Sequence, residues 1–153
     1  MGEEQSRMFH VILQLLKNIK IIINMNQITL LFASFYGMFA VVFGAFGAHA
    51  LKKIVPEDLL KSFETGVKYQ MYHALVLLFI SSTLSFTSPI ESYIAYSFII
   101  GTFLFSFSIY GLVLSSAKNK KIKILGPITP LGGLFLVIGW FLLLVKCFQN
   151  ITL

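Results

Sequence analysis

Two histidines and the polar side chains beside them are the residues of this 153-residue chain that could do chemistry. His49 lies near the end of one long stretch without charged residues, and His73 lies a few residues inside the next. An ionisable group at membrane depth is a functional candidate by default, because burying it away from water is costly. Two imidazoles at a similar depth could bind haem iron between them, or relay a proton together with Tyr69.

The candidate polar cluster joins these histidines to residues at the start of the second stretch. Its members are His49, Glu64, Lys68, Tyr69, Gln70, Tyr72 and His73. Glu64 and Lys68 form an i,i+4 pair in the favoured order, and they share a helical face with Tyr72. His73 lies on another face, with Tyr69. We favour a structural interpretation, in which His73 and Tyr69 hydrogen-bond between helices and His49 faces lipid headgroups.

Motifs for catalysis are missing from the sequence. It holds no P-loop, no serine–histidine–acid set, no paired intramembrane carboxylates and no cysteine–histidine metal motif. The single cysteine, Cys147, cannot form a disulfide within the chain. We therefore expect a protein that is not an enzyme and that binds no metal or cofactor through a known motif.

The elements that must position the cluster follow from the distribution of charge. Four windows of 31, 22, 26 and 22 residues contain no Asp, Glu, Lys or Arg. A membrane-spanning helix needs roughly 20 apolar residues, so each window predicts one span. The four spans are residues 28–49, 67–86, 93–115 and 129–148. This pattern excludes a soluble enzyme, a nucleic-acid-binding domain and a disordered chain, and it predicts an all-α integral membrane four-helix bundle.

Residues 1–24 differ from the four-span membrane domain of residues 25–153. Their apolar side chains cluster on one side of a helical wheel, and these are Phe9, Ile12, Leu13, Leu16, Ile19 and Ile23. Such a pattern is typical of an amphipathic helix in the membrane interface. The alternative, which we favour, is that Met25 is the native start and that residues 1–24 are an upstream extension. A cleavable signal peptide is a rival for the first span, but the uncharged run is longer than its apolar region would be.

The lysines predict the orientation in the membrane. Eight of them lie in or beside the first and third loops between spans, and these are Lys52, Lys53, Lys61, Lys68, Lys118, Lys120, Lys121 and Lys123. The opposite side holds Lys146 and the cations of residues 1–24. The positive-inside rule therefore puts both loops in the cytoplasm and both termini outside it. The net charge of +6 then indicates orientation, so we expect the lipid bilayer as partner and no nucleic acid.

Glycine-bearing faces are expected to hold the helices together, because close packing through small residues drives helix association in lipid. The packing glycines are Gly37, Gly44, Gly47, Gly101, Gly111, Gly132 and Gly139. They predict a tight bundle that could also form a homo-oligomer or join a larger membrane complex. We expect Gly44→Leu to lower thermal stability in detergent and Met38→Leu to leave it unchanged.

Residues 126–133 (GPITPLGG) open the fourth span. Thr129 is suited to the N-cap position and Pro130 to the first helical turn, which predicts a stiff helix entrance. A re-entrant substrate loop is the alternative, because broken helices mark transporter sites. Trp140 lies in the middle of the span, where packing or a lipid contact is its expected role.

Several motifs in this order resemble a family of small membrane proteins. They are residues 44–51 (GAFGAHAL), residues 63–75 (FETGVKYQMYHAL), Leu104-Phe105-Ser106 with Tyr110, and residues 126–133 with Gly139-Trp140. The chain is similar, over residues 25–148, to the family called domain of unknown function 423 or uncharacterised protein family 0382, whose animal relative is transmembrane protein 256. Gly66 stands where the pattern has alanine, and Phe107 where it has glycine.

The resemblance implies a four-span bundle in a bacterial plasma membrane, and it brings no established activity, substrate or cofactor. We expect a non-enzymatic accessory, scaffolding or membrane-stabilising protein. One alternative is a haem-, quinone- or proton-handling site at the cytoplasmic ends of spans one and two. Another is a small-solute transporter or channel, which the lack of intramembrane acids and internal repeats makes the weaker reading.

Overall fold

The computed structural model describes residues 4–11, 25–118 and 122–151, and these are helical almost throughout. Residues 4–11 are helical and exposed, and residues 1–3 and 12–24 lie outside the described residues, so the amphipathic pattern predicted there stays a prediction. The longer elements are α1 (Met25–His49), α2 (Glu57–Thr83), α3 (Pro89–Thr102), a π-helical segment (Phe103–Phe107), α4 (Ser108–Ala117) and α5 (Leu125–Ile151). A short 3-10 turn, Leu51–Lys53, leads from α1 towards α2.

Three stretches of helix in the described part of the chain are long and apolar enough to cross a membrane. They are Met25–Lys53, Pro89–Ala117 and Leu125–Gln149. They contain the first, third and fourth predicted spans, at residues 28–49, 93–115 and 129–148. The second prediction, residues 67–86, lies mostly in α2, which is not one of the three. Residues 57–73, the first 17 of its 27 residues, are too polar, because they include Lys68, Gln70 and His73.

Helices α1 and α2 pack against each other in opposite directions. A Cβ atom added to Gly47 would lie 3.2 Å from the Phe63 ring, and one added to Gly44 would lie 3.5 Å from Val67. Farther along, the corresponding atom on Gly37 would lie 3.9 Å from Ala74. Residues later in α1 contact residues earlier in α2, so the two helices are antiparallel. A leucine at Gly44 would extend into Val67, which supports the predicted sensitivity of that position.

Helix α5 packs even more closely against α3 and the π segment. A Cβ atom on Gly101 would lie 2.9 Å from the backbone nitrogen of Leu136, and one on Gly132 would collide with the backbone of Phe105. A Cβ atom on Gly139 would meet the Phe98 ring at 2.9 Å. Real side chains do not approach backbone so closely, so only glycine fits at Gly101 and Gly132 without displacement of a helix. Gly111 lies at a separate contact between α4 and Leu125.

The start of α5 differs from the prediction. The helix begins at Leu125, so Thr129 is not its N-cap and Pro130 lies inside the helix. Pro127 is tolerated because the N–H groups of a first turn have no helical acceptor. Pro130 has no N–H group, so the helical hydrogen bond to the carbonyl of Gly126 is missing. Residues 126–133 are therefore the first turns of a helix and not a re-entrant loop.

Candidate functional site

Gln70 is the centre of a hydrogen-bonded network that joins several helices. Its side chain is fully buried, and Nε2 donates to the Tyr36 carbonyl of α1 over 2.9 Å. Its Oε1 accepts a hydrogen bond of 2.8 Å from the Tyr110 hydroxyl of α4. Because a backbone carbonyl can only accept, the NH₂ end of the amide must face Tyr36, which leaves Oε1 for Tyr110.

Tyr36 extends this connection to α3. It is 1% exposed, and its hydroxyl donates to the Ile99 carbonyl over 2.8 Å. We call Tyr36, Gln70 and Tyr110 the polar network. Its three hydrogen bonds link α1, α2, α3 and α4, and they use both ends of the only amide side chain within it.

The π segment contacts α2 immediately beside this network. Ser106 is buried and donates a 2.8 Å hydrogen bond to the Gly66 carbonyl. A Cβ atom on Gly66 would lie 2.8 Å from the Tyr110 ring, so glycine at this position lets α2 lie close to α4. A π turn changes the direction of side chains within a helix and is frequent at functional sites. Here it lies where Gly132 of α5 presses on the backbone of Phe105.

His73 is the second buried polar side chain of α2, at 5% exposure. Its Nδ1 lies 2.8 Å from the Tyr69 carbonyl. Since that oxygen can only accept, Nδ1 carries the proton and Nε2 presents a lone pair. Nε2 is buried and has no hydrogen-bond partner among the described residues. Aromatic rings surround the imidazole, with centroid distances of 5.6 Å to Phe98, 6.1 Å to Tyr69 and 6.4 Å to Trp140.

The structure does not bring His49 to His73. His49 is exposed at the end of α1, whereas Ala74, the neighbour of His73, faces Gly37. Twelve residues separate Gly37 from His49, which corresponds to about 18 Å along a helix. The expectation of two imidazoles at a similar depth is therefore wrong, because the antiparallel register puts the end of α1 beside the start of α2.

The remaining members of the candidate polar cluster are all exposed. Glu64 and Lys68 are exposed, and Tyr69 and Tyr72 are 41% and 57% exposed. The predicted Glu64–Lys68 ion pair is not formed. In the described part of the chain, the ion pairs join Glu57 to Lys61 and Glu91 to Lys146. Of the seven predicted residues, only Gln70 and His73 are buried.

The Glu91–Lys146 pair is a buried site that sequence reasoning missed. Lys146 Nζ lies 3.2 Å from Glu91 Oε1, and Glu91 is only 3% exposed. The other oxygen, Oε2, accepts a 3.2 Å hydrogen bond from the backbone N–H of Ser88. The pair ties the start of α3 to the end of α5. Serine followed three residues later by glutamate is a helix-start signal, and it could have identified half of this arrangement.

Metal-binding chemistry has no support in the described ranges. No group of three or more His, Cys, Asp or Glu side chains within residues 4–11, 25–118 and 122–151 is arranged to hold an ion. Cys147 is exposed on α5. The arrangement can therefore cross-link helices through hydrogen bonds and an ion pair, and it offers one unpaired nitrogen lone pair, on His73.

Long apolar helices joined by buried hydrogen bonds define a helical membrane protein. A family model described as "Protein of unknown function (DUF423)" matches residues 43–133. That match covers more than half of the chain, so the chain belongs to the DUF423 family, as its motifs predicted.

Curated relatives carry the name UPF0382 membrane protein. SAB0533 of Staphylococcus aureus (strain bovine RF122 / ET3-1) is 40% identical over 112 residues, which are 73% of this chain and 88% of the relative. YwdK of Bacillus subtilis (strain 168) is 36% identical over 121 residues, or 78% of this chain and 94% of YwdK. C1782.12c of Schizosaccharomyces pombe is 38% identical over 119 residues, or 74% and 95% of the two chains. No solved structure matches the chain.

Proposed function

We propose that the protein is a multi-pass protein of the plasma membrane that acts as a non-enzymatic accessory, scaffolding or membrane-stabilising helix bundle. The observation that carries this proposal is the hydrogen bonding of Gln70. Both ends of its buried amide are engaged by other helices, at 2.9 Å and 2.8 Å. Both polar atoms of the amide therefore bond to other helices, which is the arrangement expected of a residue that holds helices together.

The remaining span of the proposed four-helix bundle, the second in chain order, is α2. Its 27 residues correspond to about 40 Å of helix, enough to cross a bilayer. Its polar residues Gln70 and His73 face other helices rather than lipid. The antiparallel pairing of α1 with α2 supports a bundle in which consecutive spans alternate in direction. The lysine-rich loops one and three then lie in the cytoplasm, and both termini lie outside it.

The orientation is tested by fusing reporters to the C-terminus of the full chain. We expect an alkaline phosphatase fusion to be active and a fluorescent protein fusion to be dark, because both termini are proposed to be extracytoplasmic. The opposite result would overturn the orientation. A reporter inserted after Lys53, in loop one, serves as the matched control and should give the reverse pattern.

The accessory role is tested by native mass spectrometry after extraction in mild detergent. We expect multiples of the chain or a co-extracted protein, because an accessory or scaffolding role requires contact with a second chain. A chain that is always monomeric, without any protein partner in a chemical cross-linking experiment in its own membrane, would contradict the accessory role.

A second candidate function is a haem, quinone or proton site, and it now rests on His73 alone. The observation that favours it is the buried, unpaired Nε2, whose lone pair could bind iron or accept a hydrogen bond. The test is to compare small-molecule mass and visible absorbance of the native protein with those of His73→Gln. His49→Gln is the control, because His49 is exposed and distant. Bound mass that His73→Gln does not remove would exclude this candidate.

A further inference from the structure

Helices α2 and α5 do not pack against each other, although both contact α3, the π segment and α4. No Cα atom of α2 lies within 8 Å of a Cα atom of α5 in the part of the chain that the structure describes. Large rings bridge the space instead. The centroid of the His73 imidazole on α2 lies 6.4 Å from that of the Trp140 ring on α5, and Phe98 of α3 contacts both rings. We call the space bounded by these three side chains the aromatic cleft. Trp140 is 50% exposed, so the cleft lies close to the outer surface of the bundle.

A cavity of about 450 Å³ lies between the same two helices, nearer the loops that carry most of the lysines. Thr65 of α2 and Thr129 of α5 line it, and Ile109 belongs to its apolar wall. Eight residues separate Thr65 from His73, which corresponds to about 12 Å along α2. The aromatic cleft and the cavity therefore lie along the same flank of α2. The cavity offers room for an apolar tail whose head lies at His73.

Two buried polar groups at the level of the aromatic cleft have no hydrogen-bond partner among the described residues. One is Nε2 of His73, which can only accept, because Nδ1 donates to the Tyr69 carbonyl. The other is the hydroxyl of Thr102, a fully buried residue. Thr102 lies in sequence between Phe98 and Phe105, whose rings contact His73 and Tyr69, so it lies at the same level of the bundle. Buried polar groups without a partner are costly, so a ligand in the cleft gains binding energy by satisfying them.

We propose that the aromatic cleft binds a membrane-dissolved hydroquinone, one of whose hydroxyls donates to Nε2 of His73. Three properties of the cleft select this occupant. The lone pair of Nε2 requires a donor, and the surrounding rings favour a flat aromatic head. His73 is the seventeenth of the 27 residues of α2, so the ligand must also be neutral and soluble in lipid.

The second hydroxyl of the ligand bonds to Thr102, and the apolar tail points towards the cavity. The Tyr69 ring turns aside to admit the ligand, since Tyr69 is 41% exposed and its hydroxyl makes no hydrogen bond within the described residues. The inference rests on the second candidate function and narrows its ligand to one chemical class. It concerns binding alone and includes no redox step.

The test compares the reduced and oxidised forms of one ligand. Decylubiquinol and decylubiquinone are titrated into the full chain in mild detergent without oxygen, and binding is measured by calorimetry. Because Nε2 can only accept, we expect the hydroquinone to bind about tenfold more tightly than the quinone, which has no donor. His73→Leu conserves much of the side-chain volume and should abolish this preference. The matched control is His49→Leu, an exposed and distant change that should leave the preference intact.

A cavity-filling variant tests the position of the tail. Thr65→Phe changes an exposed residue whose hydroxyl bonds only within its own helix, so we expect it to fold. It should weaken binding of decylubiquinol and leave binding of a hydroquinone without a tail unchanged.

Four results would each overturn the proposal: no saturable binding of decylubiquinol, equal binding of the two redox forms, a preference that persists in folded His73→Leu, or full binding of decylubiquinol by folded Thr65→Phe. The second candidate function fails separately. It survives if the native protein carries some other small molecule that His73→Gln removes, such as haem detected by its visible absorbance, and that result would overturn only the hydroquinone assignment.

Discussion

Replacing Gln70 by leucine tests whether the polar network holds the bundle together. The substitution conserves much of the side-chain volume, and Gln70 is fully buried, so the main loss is hydrogen bonding. Gln70→Leu removes the bond to the Tyr36 carbonyl and the bond to the Tyr110 hydroxyl. The Tyr36 carbonyl keeps its partner within α1, whereas the Tyr110 hydroxyl is left buried without an acceptor.

The expected cost follows from these two consequences. Hydrogen bonds between membrane helices contribute about 0.6 kcal/mol each on average, so the two lost bonds account for about 1 kcal/mol. The unpaired Tyr110 hydroxyl adds about 1–3 kcal/mol. Gln70→Leu should therefore lower the free energy of unfolding by about 2–4 kcal/mol. The cost of the unpaired hydroxyl disappears if Tyr110 is also changed to phenylalanine, because no hydroxyl then remains at that position.

The assay is a double-mutant cycle of Gln70→Leu and Tyr110→Phe, measured by unfolding in mixed detergent. Trp140, the only tryptophan of the chain, packs against Phe98 and reports the transition by its fluorescence. We expect the double variant to be more stable than Gln70→Leu alone. Tyr72→Phe, an exposed change on the same helix, should cost less than about 0.5 kcal/mol. If Tyr110→Phe destabilises the Gln70→Leu protein as much as it does the native one, the network argument is refuted.

Two further predictions concern the contacts of α5. Gly132→Ala should lower the free energy of unfolding in detergent by about 1–3 kcal/mol, because its Cβ would meet the backbone of Phe105. Gly126→Ala is the control, and it should be neutral or slightly stabilising because open space surrounds Gly126. Unfolding in mixed detergent should show that Lys146→Met costs about 3 kcal/mol and Glu91→Gln clearly less. Lys146, at 18% side-chain exposure, can turn to water when Glu91 is replaced, whereas the buried Glu91 stays unpaired when Lys146 is replaced. Equal losses of stability in the two variants would contradict this explanation.

Much of the fold could be predicted because it depends on patterns along single helices. Charge-free windows predict where apolar helices lie, and small residues at helical spacing predict which faces approach. All seven predicted packing glycines have a neighbour within 4 Å of an added Cβ atom. Gly126, which was not among them, has none, but Gly66 and Gly133, which were also not among them, do have such a neighbour. Small residues at helical spacing therefore identify most of the close contacts from one sequence, but not all of them.

The site could be predicted only in part, because its geometry depends on register between helices. Gln70 and His73 were identified from their polarity in an apolar environment. Their partners were not, since the Tyr36 carbonyl and the Tyr110 hydroxyl are distant in sequence. The same limit explains the error about His49, whose depth is set by the antiparallel contact of α1 with α2. The start of α5 was missed because Pro127 and Pro130 are tolerated where few backbone bonds are lost.

The polarity of α2 has a consequence for the assembly of the four-span bundle that we propose. A helix that carries Lys68, Gln70 and His73 is unfavourable in lipid on its own, and α2 is not among the stretches apolar enough to cross independently. Its buried amide is satisfied only when α1 and α4 are both in place. In the four-span arrangement that we propose, the stable insertion of α2 depends on contacts with its neighbours, and the polar network joins α2 to α1 and α4.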